Sequence, residues 1–202
     1  KQSNGNAVCL AGDVTDESYA SSLVALAERQ FGGLDGAFNN AGTMGDMGPV
    51  PEMDTGNWQS VIATNLTSAF FATKAQIPAM ARRGGGSMVF TGTFVGFSNG
   101  GMPGMGAYAA SKAGLIGLMQ SLASDHAAQG IRINTILPGG TKTNMAGDDP
   151  ETHAFIAGLH PLKRMAEPKE IAQSAVFLLS DRSSFVTGSP LAVDGDMATR
   201  LL

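Results

Sequence analysis

Apolar residues along this chain follow two rhythms. Short runs rich in Val, Ile and Phe alternate with longer stretches in which apolar residues recur every three or four positions. The short runs are "NAVCLA" (6–11), "LDGAFNN" (34–40), "SMVFTG" (87–92), "IRINTILP" (131–138) and "PLAVDG" (190–195). Gly or Pro bounds them and both faces are apolar, the pattern of parallel strands covered by helices. In "TDESYASSLVALAERQFGG" the residues Tyr19, Leu23, Leu26 and Ala27 fall on one helical stripe. Thr15 or Asp16 is placed to cap its start and Gly32 to end it. Further helices are predicted from about Asp54 to Arg83, with Pro78 near the end, and from about Ala107 to Ala128. A last one, "PKEIAQSAVFLLSD", opens on Pro168 and should turn Ile171, Ala175, Val176 and Leu179 inward.

Strand–helix–strand repetition predicts an α/β fold, a doubly wound parallel sheet with helices on both faces. Ligands bind outside the carboxyl ends of such strands. The segments there read "GDVTD", "NNAGTMG", "TGTFVGF" and "PGGTKTNM". Their Gly, Asn and Thr suit close backbone approach and hydrogen bonding.

Composition narrows the choice. The 202 residues, 43% hydrophobic, suit one domain (1–202) with a sizeable core. Thirteen Lys and Arg against 17 Asp and Glu give a net charge of −4 with no basic run, which argues against nucleic acid as a partner. No stretch reaches the roughly 18 apolar residues of a membrane span. The one cysteine, Cys9, lies in an apolar run and reads as a small buried hydrophobe. A lone Cys implies a reducing compartment, and "KQSNGNA" has no signal-peptide pattern, so a cytoplasmic location is expected.

The densest chemistry lies in "AYAASKA" (107–113), where Tyr108 precedes Lys112 by four residues. Residues so spaced share a helix face. A free phenol, with a pKa near 10, is a poor base at neutral pH, and a neighbouring cation favours its phenolate. By itself the pair favours the plainer reading of a surface Tyr beside a solvated Lys. Four other features stand in series with it: "NNAG" (39–42), Asn65 within a helical pattern, "PGGTKTN" (138–144) and the closing "FVTGSPLAVDG".

In that order the chain resembles the short-chain dehydrogenase/reductase family over nearly its whole length. The resemblance implies an NAD(P)-dependent oxidoreductase with a Rossmann-like fold, interconverting a secondary alcohol and a ketone. It implies that Tyr108 is the acid/base, that Lys112 also holds the nicotinamide ribose, and that Asn65 bends its helix and anchors a proton relay. Asn40, Ala41 and Gly42 would line the adenosine side of NAD or NADP, with Asp13 and Val14 near the adenine. Asp13 reads equally well as a helix-capping carboxylate. Pro138, Gly139, Thr141 and Thr143 match the loop covering the nicotinamide, Thr141 standing where Val or Ile is usual. The segment 145–165, with His153, Phe155 and His160, should cover a small-molecule substrate. Its histidines read as solvated loop residues, without metal spacing. A homo-oligomer is implied, a tetramer or dimer, built on the long helix from Asp54, the Tyr108 helix and the last strand.

Two departures stand out. The substrate-binding serine position holds Thr93, after Gly92 where a second serine is common, with Ser98 as the reserve candidate. Thr carries the same hydroxyl on a stiffer side chain. The family's opening strand, its "TGxxxGxG" phosphate turn and its second strand are not found before "NAVCLA". On this reading the chain is part of a longer protein and the first two strand–helix units are missing. The rival reading is a catalytically inactive relative that binds partners or builds an oligomer.

Overall fold

A computed structural model describes residues 5–98 and 103–199. Four parallel strands form one sheet in the order β1 (Gly36–Asn39), β2 (Gly86–Thr91), β3 (Ile131–Pro138) and β4 (Pro190–Val193). Among the described residues six α-helices accompany them: α1 (Glu17–Phe31), α2 (Thr55–Ile62), α3 (Ser68–Arg83), α4 (Gly106–His126), α5 (Pro150–Leu159) and α6 (Pro168–Leu179).

Alternation along the central strands sets the layers. Met88 and Phe90 of β2 and Ile131 and Ile133 of β3 pack with Ala69, Ile77 and Met80 of α3 and Leu115 and Met119 of α4. Val89 and Ile136 point the other way, onto Ala175 and Leu178 of α6. Burying a large apolar side chain is worth about 1.5–3 kcal/mol, so this double face dominates the stability. Arg132 closes the second layer, its guanidinium donating to the carbonyls of Leu178 and Ser180 at the end of α6 and to the Ser183 hydroxyl.

Four of the five strand runs are strands; the first is not. Residues 6–11 pair with no described strand and lie exposed. Apolar sequence favours a strand only where a neighbouring backbone accepts its hydrogen bonds. Cys9, expected inside, is exposed for the same reason. Asp16 is the cap of α1, its carboxylate accepting from Ser18 N, and Gly32 ends it in the left-handed conformation. The helix rests on α3 through Val24, with ion pairs Lys74–Glu17 and Arg82–Glu28 at its rim. Leu23 is therefore exposed, contrary to the expected stripe. In α6 Leu178, not Val176, takes the inward position. One helix was not foreseen: α5, capped by Asp149, which accepts from Thr152 N, with Pro150 in its first turn.

Candidate active site

The site lies where β1, β2 and β3 end. The helix expected from Asp54 to Arg83 starts at its Asp54 cap but is broken by a π-helical turn over Ala63–Thr67. Asn65 sits in that turn and is 2% exposed. Its Oδ1 accepts from Thr43 N at 2.8 Å, while Nδ2 donates to Thr43 O at 2.8 Å and to Ser111 Oγ at 2.9 Å. Ser111 in turn donates to the Tyr108 carbonyl at 2.8 Å. A buried amide must find partners, and these fasten the segment after β1 to the Tyr108 helix.

Lys112 is also buried. Its Nζ donates to the Thr91 carbonyl at the end of β2 at 2.7 Å and stands 5.8 Å from the centroid of the Tyr108 ring. Burial pulls its pKa down to about 8. Tyr108 is pushed the other way: burial raises the phenol above its ordinary value, and a hydrogen bond with the Thr93 hydroxyl offsets part of the rise. The expected depression of Tyr108 by Lys112 is therefore absent in the protein alone, where desolvation disfavours both charges.

Thr93 is buried and reaches Tyr108, whereas Ser98 lines a separate cavity of about 390 Å³ with Val50, Phe97 and Met105 that includes neither Tyr108 nor Lys112. Gly92 precedes Thr93 because a Cβ there would meet Leu137 Cδ2 at 2.7 Å and Thr135 Cγ2 at 2.8 Å. Gly42 is needed for space rather than for a tight turn. A Cβ on it would stand 3.1 Å from Lys112 Nζ and 3.3 Å from Asn65 Oδ1.

Asn65, Thr93, Tyr108 and Lys112 therefore form one group. Val14, Asn40 and Ala41 join Asn65 along a cleft of about 250 Å³ that opens past Tyr19, Leu23 and Phe38. Asp13 is fully exposed and accepts from Thr15 N and Thr15 Oγ1, both at 2.8 Å, which hold its carboxyl below the usual range. That is a turn leading into α1. Pro138 is the last residue of β3, Gly139, Thr141 and Thr143 follow it, and Thr141 Oγ1 donates to Gly139 O at 3.0 Å.

Two residues carry no sequence signal for the places they take. Ser111 is one of the small residues between Tyr108 and Lys112 in "AYAASKA". His160, expected to be solvated, is 2% exposed, and its Nε2 accepts from Gly140 N at 3.0 Å. Among the described residues no group of His, Cys, Asp or Glu could hold a metal. No described helix is long and apolar enough to cross a membrane.

A parallel sheet with buried Tyr and Lys on one helix at its carboxyl edge defines a class, the nucleotide-dependent oxidoreductases of Rossmann type. A family model described as enoyl-(acyl carrier protein) reductase matches residues 1–197. A cyclohexanol dehydrogenase from Acinetobacter sp. is 37% identical over 191 residues, covering 95% of this chain and 74% of that protein. An "inactive 2-(S)-hydroxypropyl-CoM dehydrogenase 2" from Xanthobacter autotrophicus is 37% identical over 195 residues, 93% of this chain and 84% of that one. The ligand-free aldohexose dehydrogenase of Thermoplasma acidophilum superposes with a TM-score of 0.89 at 29% identity, covering 95% of this chain and 78% of that chain. The chain belongs to the short-chain dehydrogenase/reductase family. It is an NAD(P)-dependent oxidoreductase acting between alcohol and ketone.

Proposed function

We propose that Tyr108, Thr93, Lys112 and Asn65 carry the reaction. The observation that supports this most directly is the buried hydrogen bond between the Thr93 and Tyr108 hydroxyls, beside an amine anchored on the end of β2. Thr93 donates to the substrate oxygen. Tyr108 takes the alcohol's hydroxyl proton as the carbinol C–H leaves as hydride, and returns a proton to the carbonyl oxygen in reverse. The nicotinamide, when bound, supplies the hydride acceptor or donor. The residues fit such a group: Gly42 leaves open the space a Cβ would fill, and Lys112 spends one of its three donors on Thr91. An ammonium facing ribose hydroxyls and a developing phenolate favours ionised Tyr108 over the value burial alone sets. Asn65 holds the Thr43 segment and α4 at fixed separation. Asn40, Ala41, Gly42 and Val14 would line the cofactor's adenosine side, with Asp13 at its far end. Pro138, Gly139, Thr141 and Thr143 would cover the nicotinamide.

We assign α5 and its flanks (145–165) to substrate cover, because Leu159 packs against the cluster holding Tyr108. The walls there are Phe94, Val95, Met105 and Met197. The cations nearby are engaged: Lys142 with Glu167, Arg164 with Glu170 through two bonds, and Lys163 with the Gly158 carbonyl. An uncharged alicyclic alcohol suits this wall, as the kinship with a cyclohexanol dehydrogenase also suggests. In the natural protein Tyr108→Phe should lower kcat on cyclohexanol by at least about a thousandfold and leave NAD(P)H fluorescence titrations unchanged. Turnover near the wild-type rate rejects the assignment. Cofactor binding without turnover in the wild type rejects it too.

A further inference from the structure

His160 is a buried ionisable side chain that the reaction above leaves unused, 2% exposed. It directly follows α5, and its ring is wedged between that helix and the loop after β3. Nε2 lies 3.0 Å from the Gly140 amide nitrogen and Nδ1 2.8 Å from the Ile156 carbonyl oxygen. Both partners are backbone groups of fixed polarity. A carbonyl only accepts, so Nδ1 carries the proton. An amide N–H only donates, so Nε2 is bare. The two bonds together require a neutral ring in a single tautomer.

The neighbouring glycines are shaped around this ring. A Cβ on Gly139 would stand 2.6 Å from His160 Nε2 and 2.9 Å from the Asp194 backbone, one on Gly140 2.2 Å from Ile156 Cγ2 and 2.9 Å from His160 Cε1, and one on Gly195 3.4 Å from His160 Cδ2. The nearby carboxylate of Asp194 is turned into its own corner, accepting from the backbone N–H groups of Asp196 and Ala198. Lys163, whose N–H donates to the His160 carbonyl, sends its amine to the Gly158 carbonyl. The two glycines of "PGG" thus make room for His160 together with Ile156 and the Asp194 backbone.

We propose that His160 is a positioning residue that locks the loop 138–143 to α5. The strip assigned to the nicotinamide and the helix assigned to the substrate are then set as one body. Backbone pairing extends the joint, with Lys142 N donating to Ala166 O at 3.0 Å and Ala166 N to Gly140 O at 2.9 Å. Those bonds run beside the latch and leave the Gly140 N–H to His160 alone. An apolar side chain of similar size fills the space but strands that buried donor.

The inference rests on the site assignment above, so its test has one arm that needs no turnover. In long-range 1H–15N spectra of the natural protein, the histidine signal lost in His160→Gln should have Nδ1 protonated and Nε2 bare. An Nε2–H tautomer overturns the proposal, whether or not activity is ever found. In the second arm, His160→Leu should weaken NAD(P)H binding about tenfold and raise KM for the alcohol. His160→Gln, which keeps an acceptor for Gly140 and a donor for Ile156, should stay within about threefold of wild type even if both variants lose the same Tm. Equal weakening in both variants shows packing alone and also overturns the proposal. An absence of NAD(P)H binding in the wild type refutes the functional assignment and the coupling, while the spectra still decide the latch geometry.

Discussion

Tyr108 and Lys112 meet in a place that suits neither charge, and the cost of that falls on stability as well as chemistry. Burial holds the Lys112 pKa at about 8 against the ordinary value of 10.5. Below pH 8 the folded and unfolded chains both carry the proton, and the native state bears the full desolvation penalty. Between about pH 8 and 10.5 the unfolded chain keeps a proton that the native chain has lost, so stability rises with pH. Tyr108, whose pKa is raised, acts in the opposite sense above pH 10, where the unfolded chain ionises first. In urea titrations without cofactor, the stability of wild type relative to Lys112→Met should therefore improve as pH goes from 8 to 10. A difference that stays flat over that range means the amine is solvated rather than buried. Lys112 also shows where reading the sequence stops. The spacing of "AYAASKA" places two groups on one face, but not the dielectric around them, which α3, β2 and the Thr93 turn supply.

Among the elements, the interruption between α2 and α3 matters most. A 3.6-residue period runs through Asp54–Arg83, and only the unfavourable Asn65 marks a fault in it. That fault became a π-helical turn whose amide makes three hydrogen bonds to other parts of the site. Asn65→Ala strands the Thr43 N–H and C=O, and a loss of about 2–3 kcal/mol is expected in denaturant unfolding. A loss below about 0.5 kcal/mol means water replaces the amide and the fastening is not structural. α5 was legible in principle, since Asp149 followed by Pro150 is a helix-start signal, but Gly158 and a short span hid its period. The run at 6–11 failed for the opposite reason. Its propensity is strong, and pairing is not a local property. The departure at the serine position shows in the sequence, where Thr93 stands, but the hydrogen bond of its hydroxyl with Tyr108 is a property of the fold.

For the whole molecule, the faces left over are as informative as the site. Trp58 and Phe70 are 41% and 47% exposed on α2 and α3. The neighbouring α4 presents Ala110, Ala113 and Gly117 outward, small residues that let another backbone come close. A homo-oligomer built on these helices should sediment as a dimer or tetramer, and Ala113→Arg should reduce it to monomers. A monomeric wild type at micromolar concentration rules this face out as an interface. The joint at His160 has a last consequence, for how such an enzyme changes over generations. Both of its ring contacts are to main chain, which every residue supplies. On the proposed assignment, exposed positions of α5 such as Ala154 and Phe155 are free to drift toward new substrates without unfastening the loop after β3. Libraries randomised there should yield altered preferences far more often than lost folds.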